Sequence, residues 1–328
     1  MRGVVIMKSK IKNIDVSQFM ALVALIIIYI FFSIFGNNFF STDALVNILD
    51  SSYYIGFMAI GVTFVIITGG IDLSLGTVLI CSALVGGVAH NNWGLPMGLA
   101  LIICVLVGGL FGLLNGTLVA RFKLPPFVAT LGSMMIAQGA GAIVSKVMTI
   151  RYPNITSPDG WFKNVFYKTS NGFPIGIVWL ALAFAIAYII LNKTKIGRYA
   201  YAIGSNEEAA RLSGINVVKW KTIVYVISGL FSGMAAVMYA ATYTSIVPAT
   251  GNGFELLAIA GVVIGGTSLS GGVGKLSGTI IGVYIMSVLK QGLMSMNLQA
   301  HYQTLFTGIV VIAAVMLDIY RNKKISKA

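Results

Sequence analysis

The sequence has few charged residues, since Asp, Glu, Lys and Arg make up only 9% of its 328 residues. Soluble globular domains carry about 25%. Hydrophobic residues amount to 57% and the mean hydropathy is +0.91, which is more apolar chain than one soluble core can bury. The scarcity of charge therefore argues against a soluble domain and predicts a protein whose solvent is the lipid bilayer.

Cysteine and histidine are also scarce, with two residues of each. Cys81 and Cys104 fall inside apolar segments, which is typical of small buried hydrophobic residues and not of a disulfide framework. His90 and His301 lie at predicted span ends, too isolated for a metal site or a catalytic triad. Without a nucleophile–base pair or a metal cluster, we expect no catalytic residue, no metal site and no enzyme activity.

Phosphate-binding patterns are absent as well. The run SGGVGKLS is close to a P-loop, but Leu269 stands where its first glycine belongs and Leu276 where Ser or Thr must bind magnesium. A GxGxxG pattern fails there as well, because Ser277 stands at the position of its last glycine. We therefore expect no cofactor in this chain, so that any ATP and magnesium would belong to another subunit. The net charge of +13 does not predict nucleic-acid binding, because the positive residues cluster between and beyond apolar spans.

Long apolar runs predict an all-α, polytopic membrane protein with about ten transmembrane helices. The predicted spans are 19–35, about 53–68, 75 to about 89, 97–120, 127 to about 148, 175–191, 222 to about 243, about 254–264, 275–294 and 302–319. The first run is too long for the apolar region of a typical signal peptide. Segment 36–52 has the partly apolar pattern of an interfacial helix, and the eighth span is short enough to be broken or re-entrant.

The distribution of Lys and Arg predicts that both termini are cytoplasmic. With that orientation 17 of the 22 basic residues lie inside and five outside. The chain then consists of a cytoplasmic segment 1–18, a permease domain 19–320 and a basic tail 321–328. Within the permease domain, residues 149–174 form an extracytoplasmic loop and residues 192–221 a cytoplasmic one.

The cytoplasmic loop contains a short helix with signals at both ends. Ser205 and Glu208 have the spacing of a capping box, and Asn206 is an alternative N-cap. Glu207 and Glu208 lie in the first turn, where carboxylates favour the helix dipole, and Gly214 suits the left-handed C-terminal position. About two turns of helix are not stable alone, so tertiary packing or a partner protein must hold them.

Four motifs carry a resemblance to a known family. The loop sequence GRYAYAIGSNEEAARLSGI resembles the cytoplasmic coupling loop of ribose/galactose-type ABC importer permeases. GGIDLSLG is similar to that family's G-x-DLS-x-G motif, and LPPFVATLG matches its counterpart. GNGFEL resembles G-x-G-[YF]-E-L-D-A, except that Leu257 replaces the usual aspartate. If that aspartate touches substrate or a gate in relatives, this chain has lost the contact.

The resemblance implies a permease subunit that forms the translocation path for a monosaccharide. An extracytoplasmic binding protein would deliver the sugar, and a separate ATPase subunit would dock on the coupling loop. The other implied partners are a second permease copy, as a homodimer or half of a heterodimer, and the lipid of the inner membrane. The coupling residues that it assigns are Arg198, Gly204, Asn206, Glu207, Glu208, Ala209, Ala210 and Gly214.

The translocation path that the resemblance implies includes buried polar residues. Its assigned members are Asp72, Ser74, Asn115, Phe127, Thr130 and Glu255. A lipid-facing carboxylate is costly, so Asp72 must face protein, water or an aqueous cavity. Two interpretations of Asp72 remain open, since it could lie beside the path or cap the third span at the inner surface.

Two glycine stripes predict close helix packing. Their members are Gly108, Gly112 and Gly116 in the fourth span and Gly274, Gly278 and Gly282 at the ninth. Such stripes let helix backbones approach, either as packing alone or as helices that slide during transport. The stripes fit an inverted repeat. The similarity of GGIDLS to GGTSLS instead pairs spans 2–3 with spans 8–9, which run in the same direction. The two alignments conflict, so neither establishes a duplication.

Two other function classes stay open on sequence alone. An ion-coupled secondary transporter could use Asp72 and Glu255 as proton or sodium relays. An intramembrane enzyme is disfavoured by the lack of a catalytic set. Uptake that requires ATP, the ATPase and the binding protein would distinguish an importer from an ion-coupled transporter.

Overall fold

The computed structural model describes residues 16–325, which form a bundle of α-helices with one very small sheet. The helices are α1 (Val16–Phe35), α2 (Thr42–Ile67), α3 (Leu75–Asn91), α4 (Met97–Ala120), α5 (Pro126–Val144), α6 (Trp161–Phe166), α7 (Gly176–Lys193), α8 (Lys195–Ser205), α9 (Glu207–Leu212), α10 (Val217–Thr242), α11 (Phe254–Ile264), α12 (Leu276–Ser295) and α13 (Ala300–Ile325). The strands β1 (Ile150–Arg151) and β2 (Ser245–Ile246) pair antiparallel. The predicted N-terminal segment and the end of the basic tail lie largely outside the described residues.

Helix α2 is the centre of the bundle. Its segment from Asp50 to Ile67 is buried on every side, as expected for a helix that is apolar all round. Helices α10, α12, α11 and α7 pack around it. Gly56 brings it close to Leu180 of α7, and Gly61 brings it close to the backbone of Ser228 in α10. Between its partly exposed first two turns and its end at Ile67, α2 is therefore enclosed by other helices.

The start of α2 corrects one prediction. The interfacial helix expected over residues 36–52 does not form as a separate element, because α2 runs without a break from Thr42. Ser41 caps it by accepting a hydrogen bond from the Ala44 amide at 3.2 Å. Hydrogen bonds within the helix and to a distant loop accommodate polar residues that interrupt its apolar pattern. Ser51 donates to the carbonyl of Asn47, for example.

Glycines set the tightest helix contacts. An added Cβ at Gly108 would lie 2.3 Å from the Gly229 carbonyl oxygen of α10, so α4 and α10 touch backbone to backbone. Gly112 and Gly116 continue this contact along α4. On the other side of the bundle, Gly278 and Gly282 of α12 pack against Gly265 and Gly261. Gly274 precedes α12, whose N-cap is Lys275, so it stands apart from the helical stripe.

The bundle has two distinct ends. We call the end that carries β1 and β2 the sheet end, and the opposite end, which carries α8 and α9, the α8/α9 end. Helix α2 begins at the sheet end and its last residue contacts Gly204 at the α8/α9 end. Segments 69–74 and 265–274 lie at the α8/α9 end beside it. The predicted loop 149–174 lies at the sheet end and contains β1 and α6.

Seven helices in the described part of the chain are long and apolar enough to cross a membrane, namely α1, α2, α4, α5, α7, α10 and α12. Helices α3 and α11 and residues Thr304–Ala313 of α13 are shorter apolar stretches. The boundaries of α4 and α11 agree with the predicted spans. Helix α10 begins five residues before the predicted span, because Asn216 caps it through a hydrogen bond from the Lys219 amide.

Candidate functional site

The polar loop of residues 192–221 folds into two consecutive short helices, α8 and α9. Asn206 is the N-cap of α9, since its Oδ1 accepts a hydrogen bond from the Ala209 amide at 2.9 Å. The capping box expected from Ser205 does not form, because α8 continues through that residue. Gly214 is left-handed (φ 82°) and the Ile215 amide donates to the Ala210 carbonyl, which is a Schellman ending.

Charged pairs fix α9 on the surface of the bundle. Glu208 pairs with Arg211 at 2.6 Å within the helix, and Glu207 pairs with Lys221 at the start of α10. Ala210 is the buried residue of α9, whereas Leu212 is 80% exposed. Helix α9 therefore presents carboxylates and one large apolar side chain outward. Of the other predicted coupling residues, Ala209 and Arg198 are exposed and Gly204 is half-buried.

Three glycine-containing segments meet behind α9, at a contact that we call the glycine junction. It consists of Gly204 in α8, the end of α2 at Ile67, and the turn Gly271–Gly272. A Cβ at Gly204 would lie 1.8 Å from the Ile67 carbonyl oxygen and 2.5 Å from the Gly272 nitrogen. The Gly272 amide donates to that same carbonyl at 2.9 Å. No side chain separates these backbones, so a displacement of α8 acts directly on both segments.

Tyr201 adds a second link between α8 and the glycine-rich turn. Its hydroxyl donates to the Gly274 carbonyl at 2.7 Å, and burial raises the pKa of Tyr201. The hydroxyl therefore remains a neutral hydrogen-bond donor at physiological pH.

Asp72 lies in the non-helical segment 69–74, where it is 1% exposed. Its Oδ1 accepts hydrogen bonds from the Ser74 amide at 3.0 Å and from the Ser74 hydroxyl at 2.7 Å. Asn115 of α4 donates to Ser74 Oγ at 2.8 Å and to Asp72 at 3.4 Å. Ser228 of α10 donates to Asp72 Oδ2 at 3.3 Å. The carboxyl thus ties the break to two helices, and Ser74 rather than Asp72 is the N-cap residue of α3.

The echo between GGIDLS and GGTSLS has a structural counterpart. Ser74 donates its amide to the Asp72 side chain, and Ser270 donates its amide to the Ser268 hydroxyl at 3.2 Å. Both segments follow a helix end and contain a left-handed glycine, Gly69 in the first and Gly266 in the second. The two breaks therefore share this side-chain turn and lie side by side at the glycine junction, although their left-handed glycines stand at different positions of the motif.

Glu255 lies in the first turn of α11 and is 6% exposed. Its Oε1 accepts a hydrogen bond from the Gly253 amide at 2.9 Å, and Gly253 is left-handed, as the turn into α11 requires. Its Oε2 is buried without a hydrogen-bond partner among the described residues. Because a Cβ at Gly76 would lie 2.6 Å from this oxygen, α3 and Glu255 are in close contact.

The six predicted path residues do not form one cluster. Asp72, Ser74 and Asn115 come together, and Glu255 stands beside the next part of α3. Thr130 is fully buried and donates to the Pro126 carbonyl of its own helix. Phe127 is 55% exposed on the surface of α5.

Sequence reasoning missed the contribution of α10 to the Asp72 cluster. Ser228 reaches the carboxyl, and the Tyr225 hydroxyl donates to the Ile71 carbonyl at 3.2 Å. The small-residue pattern SGLFSG of α10 signals a close helix contact, but not which helix it meets. Within the described residues no three His, Cys, Asp or Glu side chains group together as metal ligands would.

Comparison with known proteins adds to this geometry. Residues 44–315 match the family described as Branched-chain amino acid transport system / permease component. The chain is 38% identical to the ribose import permease protein of Haemophilus influenzae, over 97% of this chain and 99% of the relative. It is 36% identical to the fructose import permease protein of Rhizobium meliloti, over 88% and 81%. It is 34% identical to the D-allose transport system permease protein of Escherichia coli K12, over 89% and 88%. No solved structure matches the chain at a significant level.

Proposed function

The chain belongs to this family of transport permease components, and from that premise we propose that it forms the membrane path of an ABC importer for a monosaccharide such as ribose or galactose. The family membership agrees with the one predicted from the four motifs. The chain is a multi-pass membrane protein and a permease component rather than an enzyme. The observation that carries the proposal is the coupling sequence itself, which forms an exposed, doubly capped helix next to α8, and α8 enters the glycine junction through Gly204.

The proposed role of α9 is to receive the ATPase subunit. Helix α9 offers Glu207, Glu208 and the exposed Leu212 to a partner, and its caps and ion pairs hold it in place before docking. ATP and magnesium would be bound by that ATPase. Movement of α9 and α8 would then reach segment 69–74 through the glycine junction, where the backbones are in contact.

We propose that the protein lies in the inner membrane and that its α8/α9 end faces the cytoplasm. Arg121, Lys123, Lys193 and Lys275 lie at this end together with the basic residues of α8 and α9, as the positive-inside rule requires. The proposal includes ten spans, among them the short helices α3 and α11 and the helix α13, whose apolar stretch is short, with both termini on the cytoplasmic side. The sheet end would then receive the sugar from an extracytoplasmic binding protein.

A second copy of the permease is proposed to complete the path. Helix α5 supports this proposal, because Phe127, Val128, Met135 and Ile136 leave a large apolar surface exposed on it. Both lipid and a second copy could cover such a surface.

A neutral sugar suits a path with few charges, since a charged substrate would need compensating ionic groups.

The proposed function is tested by reconstituting the chain in proteoliposomes with its ATPase and binding protein. Uptake of radiolabelled D-ribose, D-fructose, D-allose and D-galactose is measured separately, with and without ATP. We expect uptake of at least one sugar that requires ATP and both partners. Uptake driven by a proton or sodium gradient alone would favour the ion-coupled alternative and refute the importer.

A charge reversal tests the docking role of α9. Glu208→Lys breaks the pair with Arg211 and places a positive charge at the positive end of the helix dipole. We expect loss of ATPase pull-down and of transport, with normal membrane insertion. Asp159→Lys is the matched control, because its side chain is 56% exposed, against 63% for Glu208, and lies at the sheet end. Normal ATPase association in Glu208→Lys would refute the docking role.

A further inference from the structure

A polar cavity lies at the sheet end, inside a single copy of the chain. Its volume is about 270 Å³, and it is bounded by α2, α10, α11 and α12. The side chains that bear on its chemistry are Asn47, Asp50, Tyr239, Tyr243, Lys290 and Gln291. The path residues described above line neither this cavity nor its mouth.

Asp50 places a buried carboxylate in the wall of the cavity. The residue is 7% exposed, and its Oδ2 accepts a hydrogen bond from the Tyr167 hydroxyl at 3.0 Å. Its Oδ1 is buried with no donor among the described residues. Because protein atoms enclose that oxygen, Asp50 contributes a buried negative charge to the lining rather than an open acceptor.

Lys290 and a cluster of aromatic rings form the opposite wall. The Lys290 ammonium donates to the Tyr54 hydroxyl at 2.8 Å and lies 5.4 Å from the centre of that ring. The rings of Tyr239 and Tyr243 pack at a tilt of 43° with their centres 4.6 Å apart, and Tyr54 contacts both. These rings are firmly packed, so the wall offers flat apolar faces with polar tips rather than flexible side chains.

The composition of the lining selects a class of ligand. It combines one carboxylate with one ammonium, which leaves no excess charge to attract an ion. The amides of Asn47 and Gln291 can each donate and accept. A compact neutral molecule with several hydroxyls meets all these groups, because each hydroxyl is both a donor and an acceptor. The volume is slightly below the roughly 300–1,000 Å³ of sites for drug-sized ligands, which suits a single small ring.

We propose that this cavity is a sugar-binding site within one permease subunit, which the monosaccharide occupies at the sheet end before it enters the path between subunits. This inference rests on the proposed function for the identity of the ligand as a monosaccharide. The chemistry of the lining alone specifies a neutral, hydroxyl-rich molecule.

Cysteine labelling tests occupancy directly on the purified full-length chain in detergent. Met294 lines the cavity and is 50% exposed, so Met294→Cys places a thiol at the mouth without removing a polar contact. The natural thiols of Cys81 and Cys104 are buried and give little background. Thr42→Cys is the matched control, since it is exposed at the same end and does not line the cavity.

We expect D-ribose, D-fructose, D-allose or D-galactose to slow maleimide labelling of the Met294→Cys variant in a saturable way and to leave the Thr42→Cys variant unaffected. Uptake of a sugar by the full complex without protection by that sugar would overturn the cavity proposal alone. Protection without ATP-driven uptake would uphold the cavity and refute the importer. The absence of both would refute both proposals.

Lining substitutions then test whether protection arises in the cavity itself. In the Met294→Cys background, Gln291→Leu and Asn47→Leu should each raise the half-protecting sugar concentration about five- to tenfold, as expected for a lost hydrogen bond. Ser287→Ala is the control, because Ser287 is buried on the same helix outside the cavity. An unchanged half-protecting concentration in both lining variants would place the sugar elsewhere and overturn the proposal.

Discussion

Replacing Gly204 by alanine adds a single methyl group at the point where α8 touches α2. The new Cβ would lie 1.8 Å from the Ile67 carbonyl oxygen and 2.5 Å from the Gly272 nitrogen. Real Cβ atoms essentially never come closer than 3.0 Å to such atoms. The segments must therefore separate by at least the difference, 1.2 Å, and neither neighbour is a side chain that could rotate away.

The size of the effect follows from this displacement. Overpacking of a tight contact costs about 1–3 kcal/mol. Loss of the hydrogen bond from the Gly272 amide to the Ile67 carbonyl would add about 1 kcal/mol. Since α8 lies at the surface of the bundle and α2 at its centre, we expect α8 to move and the bundle to stay folded. Because the cost then falls on the contact between α8 and α2, the Tm should fall less than a global loss of about 2–4 kcal/mol would give, whereas coupling should fall strongly.

The assay measures sugar uptake and ATP hydrolysis in the same proteoliposomes. In Gly204→Ala we expect ATP hydrolysis to continue, while uptake per ATP falls about tenfold or more, which corresponds to a coupling loss of about 1.4 kcal/mol. Gly98→Ala is the control, because no atom lies within 4 Å of a Cβ there and its φ is not left-handed. Wild-type uptake per ATP together with a wild-type Tm in Gly204→Ala would refute transmission through the glycine junction.

Three further substitutions test separate parts of the structure. Asn206→Ala removes the N-cap of α9, which is worth about 0.5–2 kcal/mol, so ATPase affinity measured by titration should fall while the Tm of the bundle stays unchanged. Asp72→Ala leaves several buried donors unpaired and should cost about 3 kcal/mol or more, seen as a lower Tm, with Asp72→Asn milder. Burial lowers the pKa of Lys163, so its charged form is destabilised in the folded state at neutral pH, and this penalty fades as the pH rises through the lowered pKa towards 10.5. Lys163→Met removes this penalty together with the hydrogen bond from Lys163 to Thr244 at 3.0 Å, so its Tm relative to that of the wild type should fall as the pH rises, and a Tm difference independent of pH would contradict this.

Helix boundaries could be predicted from the sequence where proline or glycine interrupts the helix. Helix α4 begins after Pro96 and α11 begins after the left-handed Gly253, and both predicted spans agree with the structure. The start of α2 could not be predicted in this way. Asp50 interrupts its apolar pattern. The hydroxyl that donates a hydrogen bond to Asp50 belongs to Tyr167, in a loop more than one hundred residues later. Local polarity therefore indicated a break where tertiary contacts allow a helix.

The candidate site shows the same division between local and distant information. Gly214 was predicted as the end of α9 because the left-handed conformation depends on local backbone preference. The prediction that Ser205 caps α9 is wrong. Helix α8 continues through Ser205, where tertiary contacts hold it against the end of α2. The glycine junction joins Ile67, Gly204 and Gly272, which lie far apart in sequence, and no spacing rule connects them.

Helix α2 connects the two ends that the proposals assign to different tasks. Its 26 residues span about 39 Å at 1.5 Å per residue, with Asp50 near the sheet end and Ile67 in the glycine junction. Because it is enclosed by α7, α10, α11 and α12, bending it would disturb close packing along most of its length. Once the ATPase holds α8, the surface helix can no longer yield, so a push on Ile67 should move α2 together with the helices packed on it and change the cavity that contains Asp50. Coupling between ATP hydrolysis and sugar occupancy then needs no chain of side-chain rearrangements, because one buried helix carries a contact for each.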